Sequence, residues 1–187
     1  MAERRVLYFA HPVNVFDTPL EVEMEHLILA TFPEARIENP NQKHHQEGYA
    51  RWKERTDASG HKGMGYYYEE VLSFCDGCVA LPFLDGKWGA GVVGEAQFFL
   101  KKGQPVYRVI VPQVNKIREL SAFLRLQLLE NNLRIVLSVE ETRARTWVSS
   151  ELYNKEKLPY DRAHLVRFVH EQWTSEYLKS VSSVPKT

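Results

Sequence analysis

Apolar positions along this chain alternate between short dense runs and longer stretches in which they recur every third or fourth residue. The run "RVLYFA" at Arg5–Ala10 has the β-branched and aromatic content of a buried strand, and "HPVNVFDTP" after it supplies turn residues. In "LEVEMEHLILATF", Leu20, Met24, Leu27 and Ala30 form a helical stripe. Thr18 is placed to cap that helix, Pro19 fits its first position, and Glu21 completes a capping-box pattern. A short strand, "ARIE", runs into Asn39-Pro40. The polar stretch at about 41–65, with His44, His45 and His61, is predicted as a long surface loop of the kind that serves as a lid or binding loop, within which "EGYARWKERT" could supply a short helix. "YYYEEVLSFC" follows as a helix, "GCVALPF" as a strand, "GVVGEAQFFLKKG" as a helix ended by Gly103, and "PVYRVIV" as a strand. The stripe Ile117, Leu120, Leu124 and Leu128 predicts a helix over "KIRELSAFLRLQLLENN", and "LRIVLSV" a fifth strand. The connector "EETRARTWVSSELYNKEKLP" then leads to an amphipathic helical extension at about 160–179 with Leu165, Val169 and Trp173 on one face.

Five strands separated by helices imply an α/β fold built on a doubly wound, Rossmann-like or flavodoxin-like parallel sheet, because parallel neighbours need crossover connections. At 187 residues, 44% hydrophobic and 26% charged, the chain suits a single domain over 1–187. Lysine plus arginine balances aspartate plus glutamate at 24 each, so no global positive field holds a nucleic-acid polymer, and a small molecule is the expected partner. No apolar run approaches the roughly 18 residues that span a bilayer, and "MAERR" leads straight into a strand, so no membrane association and a cytoplasmic location are expected.

Cys75 and Cys78 form one CxxC pair without a second to complete a tetrahedral zinc site, and their place between helix and strand suits core packing. His44, His45 and His61 with Glu47 invite a metal reading. Adjacent loop histidines point in different directions, however, and no helical or CxxC spacing organises these, so neither a metal nor another cofactor is expected.

In open sheets of this class the ligand lies beyond the carboxyl ends of the strands. The loops there carry Tyr8, His11, Pro12 and Asn14; Asn39 and Asn41; Asp85, Lys87, Trp88 and a glycine series; and Gln113 and Asn115. Carboxylate, amide, imidazole and aromatic groups together suit a polar, ring-containing ligand. Gly89, Gly91 and Gly94 allow close backbone approach at a helix start. "GAGVVG" also resembles the dinucleotide-binding GxGxxG, but it follows the third strand rather than the first. Glu95 reads either as a glutamate stabilised by the helix dipole or as a carboxylate presented to a ligand, where it could attack an anomeric carbon.

The segments "YFAHP", "CDGCVAL", "GVVGEAQ" and "KGQPV" occur in the order and places of the nucleoside 2-deoxyribosyltransferase-like superfamily, which includes nucleoside deoxyribosyltransferases and nucleotide N-glycosidases, and the chain resembles that family from Val6 to about Val111. The resemblance implies that Glu95 is the nucleophile on the sugar C1′ and that Tyr8 and its loop, with His11 and Asn14, line the pocket. Family members often place an aspartate six residues before the glutamate, a position occupied here by Gly89, so Asp85 and Trp88 are the nearby groups for base protonation and stacking. A further family carboxylate falls near "YYYEE", on Glu69 or Glu70, with Tyr68 equally close by spacing. Homo-oligomers are implied by family analogy alone. The expected activity is cleavage or transfer at the N-glycosidic bond of a nucleoside or nucleotide, a hydrolase if water accepts the sugar and a glycosyltransferase if a base does. The alternative is a non-catalytic module that senses a nucleotide-derived ligand. Arg143 and Arg145 read as a solvated basic connector before a phosphate clamp.

Overall fold

The computed structural model describes residues 4–56, 64–83, 86–110, 125–130, 133–143 and 146. It is an α/β structure with a five-stranded, mostly parallel mixed sheet. The strands are β1 (Val6–Ala10), β2 (Arg36–Glu38), β3 (Gly77–Ala80), β4 (Val106–Ile110) and β5 (Arg125–Leu128), in the order β2-β1-β3-β4-β5. Helices α1 (Pro19–Thr31), α2 (Lys43–Thr56) and α3 (Ala90–Lys101) connect and cover them.

Period-two alternation in the strands sorts the core into two clusters. Leu7 and Phe9 of β1, with Val79 and Leu81 in and just after β3, pack with Leu20, Met24 and Ile28 of α1. Tyr8, Ala10, Cys78 and Ala80 pack instead with Val92, Val93, Ala96 and Phe99 of α3 and with Trp52 of α2. Both cysteines are free and buried, and burial pushes the Cys75 thiol up to about 12 and Cys78 well above its ordinary value, as inert packing residues require. Asp76 locks the β1–β3 register: its carboxylate accepts from the Val6 amide at 2.7 Å and its own amide donates to the Val6 carbonyl.

Helix ends follow their sequence signals. The Thr18 hydroxyl accepts from the Glu21 amide, while Glu21 reaches one residue further back than a capping box requires, accepting from the Asp17 amide at 2.7 Å. Asp17 has a positive φ of 57°, which brings its N–H within that reach. At the other end of α3, Gly103 at φ 69° lets its own amide bond Leu100 and that of Gln104 bond Phe99, a Schellman closure.

Four expectations need correction. The sheet is not wholly parallel: β5 pairs antiparallel with β4, and it forms where the Leu124/Leu128 stripe predicts a helix. "RLQL" also alternates with period two, and pairing with the open edge of β4, reinforced by Arg108 donating to Gln127 at 2.7 Å, outweighs local helical preference. The predicted fifth strand over "LRIVLSV" makes one isolated parallel bridge, Trp88 to Val136. Ile135 stands at φ 58°, a kink that a β-branched residue rarely adopts and that stops the segment running extended. Finally, 43–56 of the expected loop is the helix α2. The predicted extension at 160–179 lies outside the described residues.

Candidate functional site

Glu95 lies in the second turn of α3, past Gly89 at the N-cap, so it is beyond the first turn where the helix dipole stabilises an acid. It stands in the stripe Val92, Glu95, Ala96, Phe99, all buried, which puts a carboxyl where the helix packs onto the sheet. Only 7% of Glu95 is exposed. Its carboxyl meets Tyr8, a fully buried β1 residue whose hydroxyl donates to Oε1 at 2.7 Å. Burial raises the Glu95 carboxyl from 4.5 to about 8, against the pull of the Tyr8 hydrogen bond, which favours the ion. Tyr8 in turn is held well above its ordinary value, by burial first and by the Glu95 charge second.

The segment "YYYEE" divides its tyrosines among three directions because it forms a π-helical turn at Tyr67–Val71, continued by a 3-10 turn at Leu72–Phe74. Tyr66 lies against Gly48 and His45, Tyr67 stacks on Tyr49, and Tyr68 lies over Gly94, whose lack of a side chain admits the phenol. Burial with the Glu95 charge raises Tyr67 to about 12 and Tyr68 above its ordinary value, so two phenols share the field of the buried carboxyl. Glu69 and Glu70 are exposed, and the groups of this segment that feel the Glu95 charge are Tyr67 and Tyr68.

The remaining sequence candidates are placed as follows. A side chain at Gly91, one turn before Glu95, would meet nothing within 4 Å. Gly89 caps α3 in ordinary extended backbone, packed near Phe83 and Thr142, and the Thr142 hydroxyl accepts from the Ala90 amide at 2.9 Å. Trp88 is 4% exposed and packed in the same cluster as Tyr8 rather than standing as an open stacking face. Asn14 lies in the 3-10 turn after β1, and its Oδ1 is buried without a hydrogen-bond partner among the described residues. Asp85, Gln113, Asn115 and Arg145 lie outside the described residues; Arg143 is exposed.

His11 is separated from Glu95. Its ring packs on Phe9, toward α1, with Nε2 against Asn39 Oδ1 at 3.1 Å and Glu21 Oε1 at 3.4 Å. Asn39 donates to both Glu21 and Glu25, and Asn41 to Asp17 and Glu21. Burial drives the imidazole down to about 4, partly opposed by its bond to Asn39. This hydrogen-bonded histidine ties the ends of β1 and β2 to α1.

A further cluster escapes the sequence reading. His44 and His45 do not diverge: both Nε2 atoms point at Glu38 Oε1, at 3.2 and 2.6 Å, with ring centroids 4.0 Å apart. Glu38 is the register partner of Tyr8, one strand over on the same face. The sequence obscures this group because Glu38 belongs to a strand and the histidines to a helix that reads as loop.

No family model, curated protein or solved structure matches this chain. Among the described residues no helix is long and apolar enough to cross a membrane.

Proposed function

We propose that the chain is a doubly wound, Rossmann-like member of the nucleoside 2-deoxyribosyltransferase-like superfamily that cleaves or transfers at the N-glycosidic bond of a nucleoside or nucleotide, with Glu95 as nucleophile. The observation that carries the reading is the buried Tyr8–Glu95 pair at 2.7 Å, with Gly91 one helical turn before Glu95 and nothing within 4 Å of its Cβ position. The parallel order β2-β1-β3-β4, with helices on both faces, supports it, since a crevice forms where the order reverses between β1 and β3. Tyr8 belongs to β1 and Glu95 to the helix after β3, the two strands that flank that reversal.

In the proposed reaction a Glu95 carboxylate oxygen bonds to C1′ as the C1′–N bond breaks, and the base leaves with the electron pair and takes up a proton, for which Asp85 is the sequence candidate. Water, or a second base, then displaces Glu95 from C1′ and regenerates the carboxylate. Tyr8 holds the attacking carboxyl in one rotamer, and its donated hydrogen bond favours the ionised form. The orphaned amide oxygen of Asn14, at the same sheet edge, suits a donor such as a sugar hydroxyl.

The test is chromatography of free base from a panel of nucleosides and nucleoside monophosphates, with and without an acceptor base. Release by the wild type that vanishes in Glu95→Gln is the expected result, and its pH dependence is diagnostic. A nucleophile is active as the carboxylate, so release rises as pH climbs through about 8; a general acid would give the opposite limb. One observation favours a second reading, a sensor of a nucleotide-derived ligand: a carboxyl raised to about 8 is largely protonated at neutral pH and then binds rather than attacks. Ligand binding without turnover, unchanged in Glu95→Gln, would establish the sensor instead.

A further inference from the structure

The Glu38, His44 and His45 cluster stands apart from the reaction assigned to Glu95. Its three donor atoms, one from each side chain, lie within 4.8 Å of one another, against about 3.4 Å between ligands of a tetrahedral zinc with bonds of ~2.1 Å. Successive residues on a helix point about 100° apart. Here both imidazoles nevertheless bend to a single carboxylate oxygen, the exposed His44 as well as the buried His45.

The outer contacts are those that orient metal ligands. His45 Nδ1 lies 3.2 Å from the Tyr66 hydroxyl, so with Nε2 on an ion the Nδ1–H donates to that oxygen and fixes the ring. The second carboxylate oxygen of Glu38 accepts from Arg36 at 3.0 Å, leaving Oε1 for the ion. Tyr66 fits closely over Gly48 of the same helix, where a Cβ would collide with its phenol, so the supporting hydroxyl is held in place by packing. His44 is 63% exposed, which opens the cluster to ion entry and leaves a coordination position on the solvent side.

We propose that Glu38, His44 and His45 form a divalent transition-metal site that takes zinc, with Tyr66 and Arg36 as supporting contacts and at least one position open to water or a ligand. Two imidazoles and one carboxylate are a borderline donor set that suits Zn²⁺ and is poor for Mg²⁺ or Ca²⁺, which take oxygen ligands. In the metal-free protein the carboxylate oxygen accepts N–H bonds from the imidazoles. Binding puts the ion on both Nε2 atoms and moves each imidazole's proton to its own Nδ1, that of His45 donating to the Tyr66 hydroxyl. The site lies one strand from Tyr8, and the His45 ring is 6.4 Å from that of Tyr67.

The test uses the tag-free full chain, stripped with a chelator, titrated with Zn²⁺ against a chromogenic competitor and separately with Co²⁺ followed by its visible absorption. A single equivalent is expected to bind, with a d–d band of a low-coordinate nitrogen and oxygen site and no thiolate charge-transfer band. His44→Ala, at an exposed position, should weaken Zn²⁺ by more than about tenfold without altering circular dichroism, and Tyr66→Phe by about tenfold through loss of the outer contact. Glu38→Gln should weaken it as well; should that buried variant unfold, His44→Ala and the cobalt spectrum decide. Absence of stoichiometric binding, full affinity in His44→Ala, or a thiolate band placing the ion on Cys75 or Cys78 would each overturn the proposal.

Discussion

Tyr8 and Glu95 are 87 residues apart in sequence and meet through one hydrogen bond, and their opposing influences can be separated by substitution. Burial raises the Glu95 carboxyl and the Tyr8 hydroxyl lowers it, so Tyr8→Phe removes only the second. The expected outcome is a further rise of the Glu95 carboxyl by about one pH unit, the equivalent of a hydrogen bond to a charged group worth roughly 1.5 kcal/mol. The rising limb of base release against pH should move to higher pH by that amount, while substrate affinity changes little. An unmoved limb with a lower plateau would mean that Tyr8 contacts the substrate and does not tune the acid. Glu95 was discernible in the sequence from the family-like segment and from the glycines at the start of its helix. Tyr8 was discernible as a strand residue, but its partner was not, because nothing local relates the second strand-face position of β1 to the second turn of α3.

The helices show how far local chemistry decides structure and where it is used for something else. Thr18 both accepts from the Glu21 amide and donates to the Val15 carbonyl at 2.5 Å, so Thr18→Ala should lower stability by about 1 kcal/mol, read as a shift in urea midpoint at constant m. Gly91 in the first turn of α3 gives the reverse case. Its added Cβ meets nothing within 4 Å, so Gly91→Ala should stabilise the protein by ~0.5–1 kcal/mol through helix propensity. If the open space is the substrate's, the same variant should raise KM while Tm rises; a higher Tm with unchanged KM would move the pocket elsewhere. Caps, the Gly103 closure and the strand cores are local and were legible. The helix α2 was less so, since "KHHQEGYARWKERT" is too polar to show a long stripe and is held instead by Trp52 and by Glu38 beneath its first turn.

At the scale of the whole molecule, two buried acids and bases make stability depend on pH in opposite senses. Glu95 rises from 4.5 to about 8, so between those values the folded state binds more protons than the unfolded; its contribution is fully present below 4.5 and is lost as pH rises through about 8. His11 falls from 6.5 to about 4, so its contribution is complete above 6.5 and is lost as pH drops toward 4. The stability difference between wild type and Glu95→Gln isolates the first: it should move in favour of the variant by up to ~1.4 kcal/mol per pH unit between pH 5 and 8. A pH-independent difference would show that Glu95 is solvated in solution. Sequence alone determined most of the strand-helix alternation as far as β4 and the helix caps, because these follow from neighbours a few residues apart. Only the tertiary structure decided that β5 turns antiparallel, that His11 serves the α1 side while Tyr8 meets Glu95, and that His44 and His45 converge on Glu38. Each of those depends on which edges and faces remain open once distant strands have paired, and that is a property of the assembled sheet rather than of any segment in it.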